Sequence, residues 1–116
     1  MNELQQKLRD RDYTMAVVGI GRVGLPLAIS FAGVGVRVVG VDRDPDHVAR
    51  VMTGEMPFIE HGAQEVLRRV LADGRFRATT DGPAAIAEAD VIVVTVGTPL
   101  GADMRTDTSQ IEEAVA

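Results

Sequence analysis

Three glycines and an acid carry most of the chemistry that this sequence can support. Gly19, Gly21 and Gly24 follow an apolar run at residues 15–18 and lead directly into a second apolar stretch of helical period. Gly19 permits the tight strand-to-helix turn. Gly21 lacks the Cβ that would hold a diphosphate away from the backbone, and Gly24 lets the helix lie close to the strand. A helix N-terminus behind such a turn offers unpaired N–H groups and a partial positive charge, which suit an anion. A lone G-x-G-x-x-G is weak, because glycine is common in turns. Here a strand precedes it, a helix follows, and a second strand at residues 36–41 ends in Asp42, at the spacing where a carboxylate meets the ribose hydroxyls of a dinucleotide. Arg43, directly after it, belongs to the same candidate site and raises the question of a 2′-phosphate. An acid at the ribose position repels that phosphate, so NAD is favoured over NADP.

Composition narrows the class of molecule. The 116 residues suit one small domain, with residues 1–12 a polar N-terminal segment that is given no function and residues 13–116 the cofactor-binding unit. Hydrophobic residues make up 46% with one Tyr, three Phe and no Trp, so aliphatic side chains must fill the core. That fits a parallel sheet covered by helices, whose central strands read as Val/Ile runs. A formal charge of −5 argues against a nucleic-acid partner. The absence of cysteine excludes disulfides, thiolate metal sites and a thiol nucleophile within these residues. No signal-like N-terminus and no apolar run of membrane-spanning length occurs, so the expectation is a cytoplasmic protein without membrane contact.

The remaining elements position the motif. The first helix is expected over about residues 23–32, with Val23, Leu27, Phe31 and Val34 facing the sheet and Pro26 in its first turn, where a missing N–H costs nothing. Gly33 and Gly35 end it. Asp44 reads as the N-cap of a helix starting at Pro45, with Val48 and either Val51 or Met52 inward, and Met52 and Met56 as core filler. An irregular link at residues 54–62 leads to a helix burying Val66, Leu67, Val70 and Leu71, stopped at Asp73 and Gly74. A short strand at 76–80, a small helix at 84–89 after Asp81, and the most apolar strand, at 91–95, follow. Beyond them come Val96, Gly97, Thr98 and Pro99, a polar loop, and a capping-box pattern, Ser109 and Glu112, that opens a last helix. Strands alternating with crossovers predict an α/β fold, a Rossmann-type doubly wound parallel sheet in order 3-2-1-4, truncated after its fourth strand. Its switch point, between strands 1 and 4, sets the glycine turn beside residues 96–99.

Together, the fingerprint with Leu25, Pro26, Leu27 and Ala28, then Asp42, Gly54, Pro57, Glu60 and Gly62, the turn Gly97-Thr98-Pro99, and Asp107 with Ser109 resemble the N-terminal NAD-binding domain of the UDP-glucose/GDP-mannose dehydrogenase family. The resemblance implies a nucleotide-sugar 6-dehydrogenase, an oxidoreductase of polysaccharide biosynthesis that takes a UDP- or GDP-sugar alcohol to the uronic acid with two NAD. It implies that Gly19, Ile20, Gly21, Arg22, Val23 and Gly24 hold the diphosphate and Asp42 the adenosine ribose. Val96, Gly97 and Thr98 would border the nicotinamide half. The catalytic cysteine, the sugar-nucleotide pocket and the homodimer contacts are implied for chain that these residues do not contain, so the fragment alone would bind cofactor and catalyse nothing.

Two departures stand out. A position often aromatic in the family is Arg22, which either adds a cation near the phosphates or lies solvated on the helix. A position often basic is His47, which reads as a surface helix residue. His61 beside Glu60 lacks a ligand cluster, so no metal site is expected. Two other readings remain beside the first: a stand-alone nucleotide-sensing Rossmann module, or the first half of another NAD(P)-dependent dehydrogenase or of an S-adenosylmethionine-binding methyltransferase.

Overall fold

The computed structural model describes residues 2–95. They form α1 (Glu3–Arg9), β1 (Thr14–Val18), α2 (Gly24–Gly33), β2 (Arg37–Val41), α3 (Pro45–Met52), α4 (Ala63–Ala72), β3 (Phe76–Thr79), α5 (Gly82–Glu88) and β4 (Val91–Val94). The strands pair in parallel throughout, in the order β3-β2-β1-β4, as the alternation of strand and helix signals predicts. The residues from 96 onward, including the Gly97-Thr98-Pro99 turn and the capping box at Ser109, lie outside the described residues.

Handedness decides which face of the sheet each helix covers. Steps from β1 to β2 and from β2 to β3 move the same way across the sheet, so right-handed crossovers put α2, α3 and α4 on one face. The step from β3 to β4 runs back over both inner strands and puts α5 on the other face. Strand pleating divides the core accordingly, because alternate side chains point to opposite faces. Met15, Val17 and Val38 join Leu25, Ala28, Ile29, Ala32, Val51, Leu67 and Val70, while Val18, Val39 and Val41 pack with Ala85.

Local signals behave as their chemistry requires. Asp44 accepts hydrogen bonds from the N–H groups of Asp46 and His47, and Pro45 opens α3 behind it. Asp81 caps α5 through the N–H of Ala84. Gly35 and Gly74, at φ of +102° and +72°, turn the chain out of α2 and α4. The polar N-terminus forms α1, closed by a reciprocal pairing of Asn2 with Gln5, and buries none of its residues.

Two expectations are corrected. On α2 the buried stripe is Gly24, Leu25, Ala28, Ile29 and Ala32, whereas Val23 and Val34 are 71% and 53% exposed. The helix is apolar on nearly every side, so periodicity does not choose a face. Contact chooses it: a Cβ on Gly24 would lie 1.7 Å from the Gly19 carbonyl oxygen, so this side must meet the sheet. Ala28 and Ala32 then follow at four-residue intervals, small enough for the same close approach. On α3, Val51 is fully buried and Met52 is 44% exposed; instead of filling the core, the Met52 sulfur accepts a hydrogen bond from the Ala78 N–H at the outer strand, at 3.1 Å. Met56 is buried as expected.

The choice of face is testable by urea denaturation. Leu25→Ala is expected to cost about 2–5 kcal/mol, as for a truncated core leucine. Val23→Ala should stay within about 0.5 kcal/mol, as for a surface position. Equal losses would restore the other stripe to the core.

Candidate cofactor site

The candidate site is built where β1 ends. There the Gly19 N–H bonds the Val41 carbonyl at 2.7 Å, and the Thr95 N–H bonds the Val18 carbonyl at 2.8 Å. The chain then turns sharply through Gly19, whose φ is +94° and where an added Cβ would stand 1.8 Å from the Thr95 carbonyl oxygen. Only glycine combines that backbone angle with that approach.

Three side chains fix the turn. The Thr95 hydroxyl donates to the Gly19 carbonyl at 2.6 Å. One carboxylate oxygen of Asp42 accepts from the Ile20 N–H at 3.3 Å, and the other accepts from the Asp44 N–H at 3.1 Å. His47 Nε2 lies 2.7 Å from the Ile20 carbonyl; a carbonyl only accepts, so this nitrogen carries the proton. Asp42 is thus half-buried and aimed at the glycine turn, while Arg43 beside it is exposed.

The fingerprint residues divide their work. Ile20 lends its backbone to the turn and plants its side chain, fully buried, in the core next to Gly40. Around Gly21 an added Cβ would meet nothing within 4 Å, so the chain there borders open space. Behind it, α2 begins at Gly24 with Val23 as its N-cap and no side-chain cap; the Leu25 N–H already bonds the Gly21 carbonyl at 3.1 Å and Pro26 has no N–H, which leaves the Gly24 N–H without a partner among the described residues. A helix mouth of this kind, beside a glycine that faces open space among the described residues, suits a diphosphate, and a carboxylate one strand away suits a ribose. The residues present therefore fit a dinucleotide. Arg22 is exposed, and its guanidinium carbon sits 5.6 Å from the centre of the Phe58 ring, a cation–π contact worth about 0.5–1 kcal/mol at an exposed site. The contact ties the link at residues 54–62 to the rim of the turn.

Val96, Gly97 and Thr98 lie outside the described residues. Thr95 is not among the sequence candidates, although the switch point already puts the end of the fourth strand beside the glycine turn. His47 stands at a position that is often basic in the family and reads as a surface helix residue; its bond to the turn depends on how α3 is rotated. Glu60 and His61 are exposed, and among the described residues no group of three or more His, Asp or Glu side chains could hold a metal. No helix among them is long and apolar enough to cross a membrane.

Comparison with known proteins agrees with this geometry. Residues 13–116 match the model for the UDP-glucose/GDP-mannose dehydrogenase family, NAD binding domain. UDP-glucose 6-dehydrogenase of Pseudomonas aeruginosa is 40% identical over 97 residues, which cover 84% of this chain and 21% of the relative. GDP-mannose 6-dehydrogenase of Pseudomonas syringae pv. tomato is 36% identical over 85 residues, 73% of this chain and 19% of the relative. A solved UDP-glucose dehydrogenase from the hyperthermophilic archaeon Pyrobaculum islandicum superposes with a TM-score of 0.81 at 36% identity, covering 88% of this chain and 24% of that one. GDP-mannose dehydrogenase from Pseudomonas aeruginosa, solved as a ternary complex, gives 0.80 at 31%, covering 84% and 22%. The chain spans about a fifth of the length of the curated relatives it matches.

Gly21 and Gly24 should separate in a stability assay. Gly24→Ala is expected to cost about 1–3 kcal/mol in urea denaturation, as overpacking against a backbone carbonyl does. Gly21→Ala should leave the unfolding midpoint almost unchanged, because nothing stands in the way of the added methyl group. A large loss at Gly21 would mean that its surroundings are closed.

Proposed function

This chain belongs to the UDP-glucose/GDP-mannose dehydrogenase family and forms its NAD-binding domain, and we propose that it serves an enzyme oxidising a nucleotide-sugar alcohol to the uronic acid. The observation that carries the site assignment is the open space at Gly21 among the described residues, set between the N-terminus of α2 and the Asp42 carboxylate. On this reading the backbone of Gly19, Ile20, Gly21, Arg22, Val23 and Gly24 binds the diphosphate. Asp42 accepts from the adenosine ribose hydroxyls, with Arg43 at the edge. Val96, Gly97 and Thr98 complete the border toward the nicotinamide.

Bound NAD supplies the two-electron acceptor, and an alcohol taken to an acid gives up four electrons, hence two NAD per turnover. The role of this chain's own residues is to bind and orient. Thr95, Asp42 and His47 hold the turn in shape, and Asp42 selects the ribose. No cysteine occurs in the 116 residues, so the thiol chemistry implied by the family resemblance comes from other parts of the enzyme. The nucleotide-sugar substrate and a homodimeric partner likewise belong to the full-length enzyme. We place that enzyme in the cytoplasm and in the supply of uronic acids for polysaccharide synthesis, and by itself this stretch of chain turns over no substrate.

Calorimetric titration with NADH, NADPH and S-adenosylmethionine tests the cofactor class. Binding of S-adenosylmethionine in preference to NADH would overturn it. Asp42→Ala is expected to weaken NADH roughly 10- to 100-fold, the range of a lost hydrogen bond to a charged group. It should also narrow the preference over NADPH, and unchanged affinity for both would remove Asp42 from the site. Gly21→Val is expected to abolish NADH binding while preserving the circular dichroism of the fold. Retained binding would mean that the diphosphate lies elsewhere.

A further inference from the structure

Two consecutive peptide planes of the glycine turn are held by side chains from three different elements. The Gly19–Ile20 plane is stretched between the Thr95 hydroxyl on its carbonyl and the Asp42 carboxylate on its N–H. The next plane, Ile20–Gly21, is gripped by its carbonyl alone, through His47 Nε2 at 2.7 Å. A trans peptide is planar, with C=O and N–H pointing in opposite directions. Drawing the Ile20 carbonyl toward α3 therefore turns the Gly21 N–H away from α3.

Side-chain packing does not hold this second plane, since an added Cβ on Gly21 would meet nothing within 4 Å. Before Gly21 the Ile20 side chain is locked in the core; after it the chain is exposed as far as Val23. The Gly21 carbonyl is next held by the Leu25 N–H at 3.1 Å, so the His47 hydrogen bond is the contact that holds the plane between the buried Ile20 side chain and the start of α2. Its base is itself fixed. His47 lies in the first turn of α3, half-buried, with its own N–H bonded to Asp44, and Asp44 in turn is bonded through its N–H to Asp42.

We infer that His47 is a positioning residue of the cofactor site, holding the Ile20–Gly21 peptide so that the Gly21 N–H is presented to the diphosphate rather than contacting the nucleoside itself. The inference rests on reading the turn as the diphosphate cradle. It assigns to an imidazole on α3 a role that differs from that of Asp42: the carboxylate meets both ligand and turn, the imidazole meets the turn alone.

The test uses the full chain with His47→Ala and His47→Gln, because a glutamine side-chain N–H also donates to a carbonyl. Affinities for NADH and for adenosine, which has the ribose but no diphosphate, are measured by calorimetry and NMR titration. The Gly21 amide resonance and the urea midpoint are followed without ligand. His47→Ala is expected to weaken NADH roughly 3- to 10-fold, as the loss of one hydrogen bond does, to shift the Gly21 amide, to lower the urea midpoint by no more than the loss of one hydrogen bond does, and to leave adenosine affinity unchanged. His47→Gln should return NADH affinity to within about twofold of the unsubstituted chain. Unchanged NADH affinity in His47→Ala, equal damage in His47→Gln, or a matching loss for adenosine would each overturn the inference while leaving the cofactor reading intact. Failure of the unsubstituted chain to bind NADH would overturn the cofactor reading and this inference with it.

Discussion

One peptide, joining Gly19 to Ile20, ties the ligand end of the sheet together. Its carbonyl accepts from Thr95 at the end of β4, and its N–H donates to Asp42 at the end of β2. The turn that leaves β1 is thereby spread across the place where the crossovers part in opposite directions. Such a gap exists because the sheet is wound both ways from β1, and ligands of open parallel sheets bind there. Gly19 supplies the backbone angle, and Gly24 lies so close beneath it that no side chain fits between them. That second contact fixes how α2 is rotated. From the rotation follow Leu25, Ala28, Ile29 and Ala32 as the inward face, and with them much of the larger core. The residues that shape the mouth of the site therefore also decide how the first helix packs.

This coupling explains what could and could not be read before any coordinates. Strands, their order, the caps at Asp44 and Asp81 and the glycine turn rest on local chemistry or on handedness, and both are written in the sequence. The rotation of α2 is not. Its ten residues, GLPLAISFAG, present apolar side chains on most sides, and only the Gly24–Gly19 approach breaks the tie. Met52 was misjudged for a related reason: methionine next to a fully buried valine looks like filler, yet one step around α3 it reaches the edge strand rather than the core. Asp42 could be named from its place at a strand end. Its two backbone partners, Ile20 and Asp44, could not, nor could the bond that His47 makes to the turn, because all three depend on distances between residues brought together by the fold.

The two faces of the sheet are unequal among the described residues. α2 and α4 cover one face and bury the Met15, Val17 and Val38 side. The other carries α5, which packs against β1 and β2, and a small cluster around Ala85. β4, whose sequence reads as a strand buried on both sides, keeps Ile92 and Val94 at 45% and 40% exposure while Val91 and Val93 pack into the larger core. α5, which returns over two strands, packs on the inner pair β1 and β2 among the described residues.

An acidic chain that binds an anionic cofactor has to keep its charges apart, and the geometry at Asp42 shows how. On the proposed reading the diphosphate is met by neutral backbone amides and a helix terminus, so no surface excess of cations is required and a net charge of −5 is tolerable. The Asp42 carboxylate is held by two N–H groups, from Ile20 and Asp44, which settle its orientation before any ligand arrives. A ribose hydroxyl gains a hydrogen bond from it, worth about 1.5–3 kcal/mol when one partner is charged. A 2′-phosphate meets repulsion instead: two unit charges about 5 Å apart cost about 3 kcal/mol at an effective dielectric constant near 20. Those two terms have the same sign, so a single side chain separates NAD from NADP by more than either effect alone. On that reading the side chain that chooses the cofactor also accepts from the Ile20 N–H, so a change at Asp42 disturbs the turn that Thr95 and His47 help to hold.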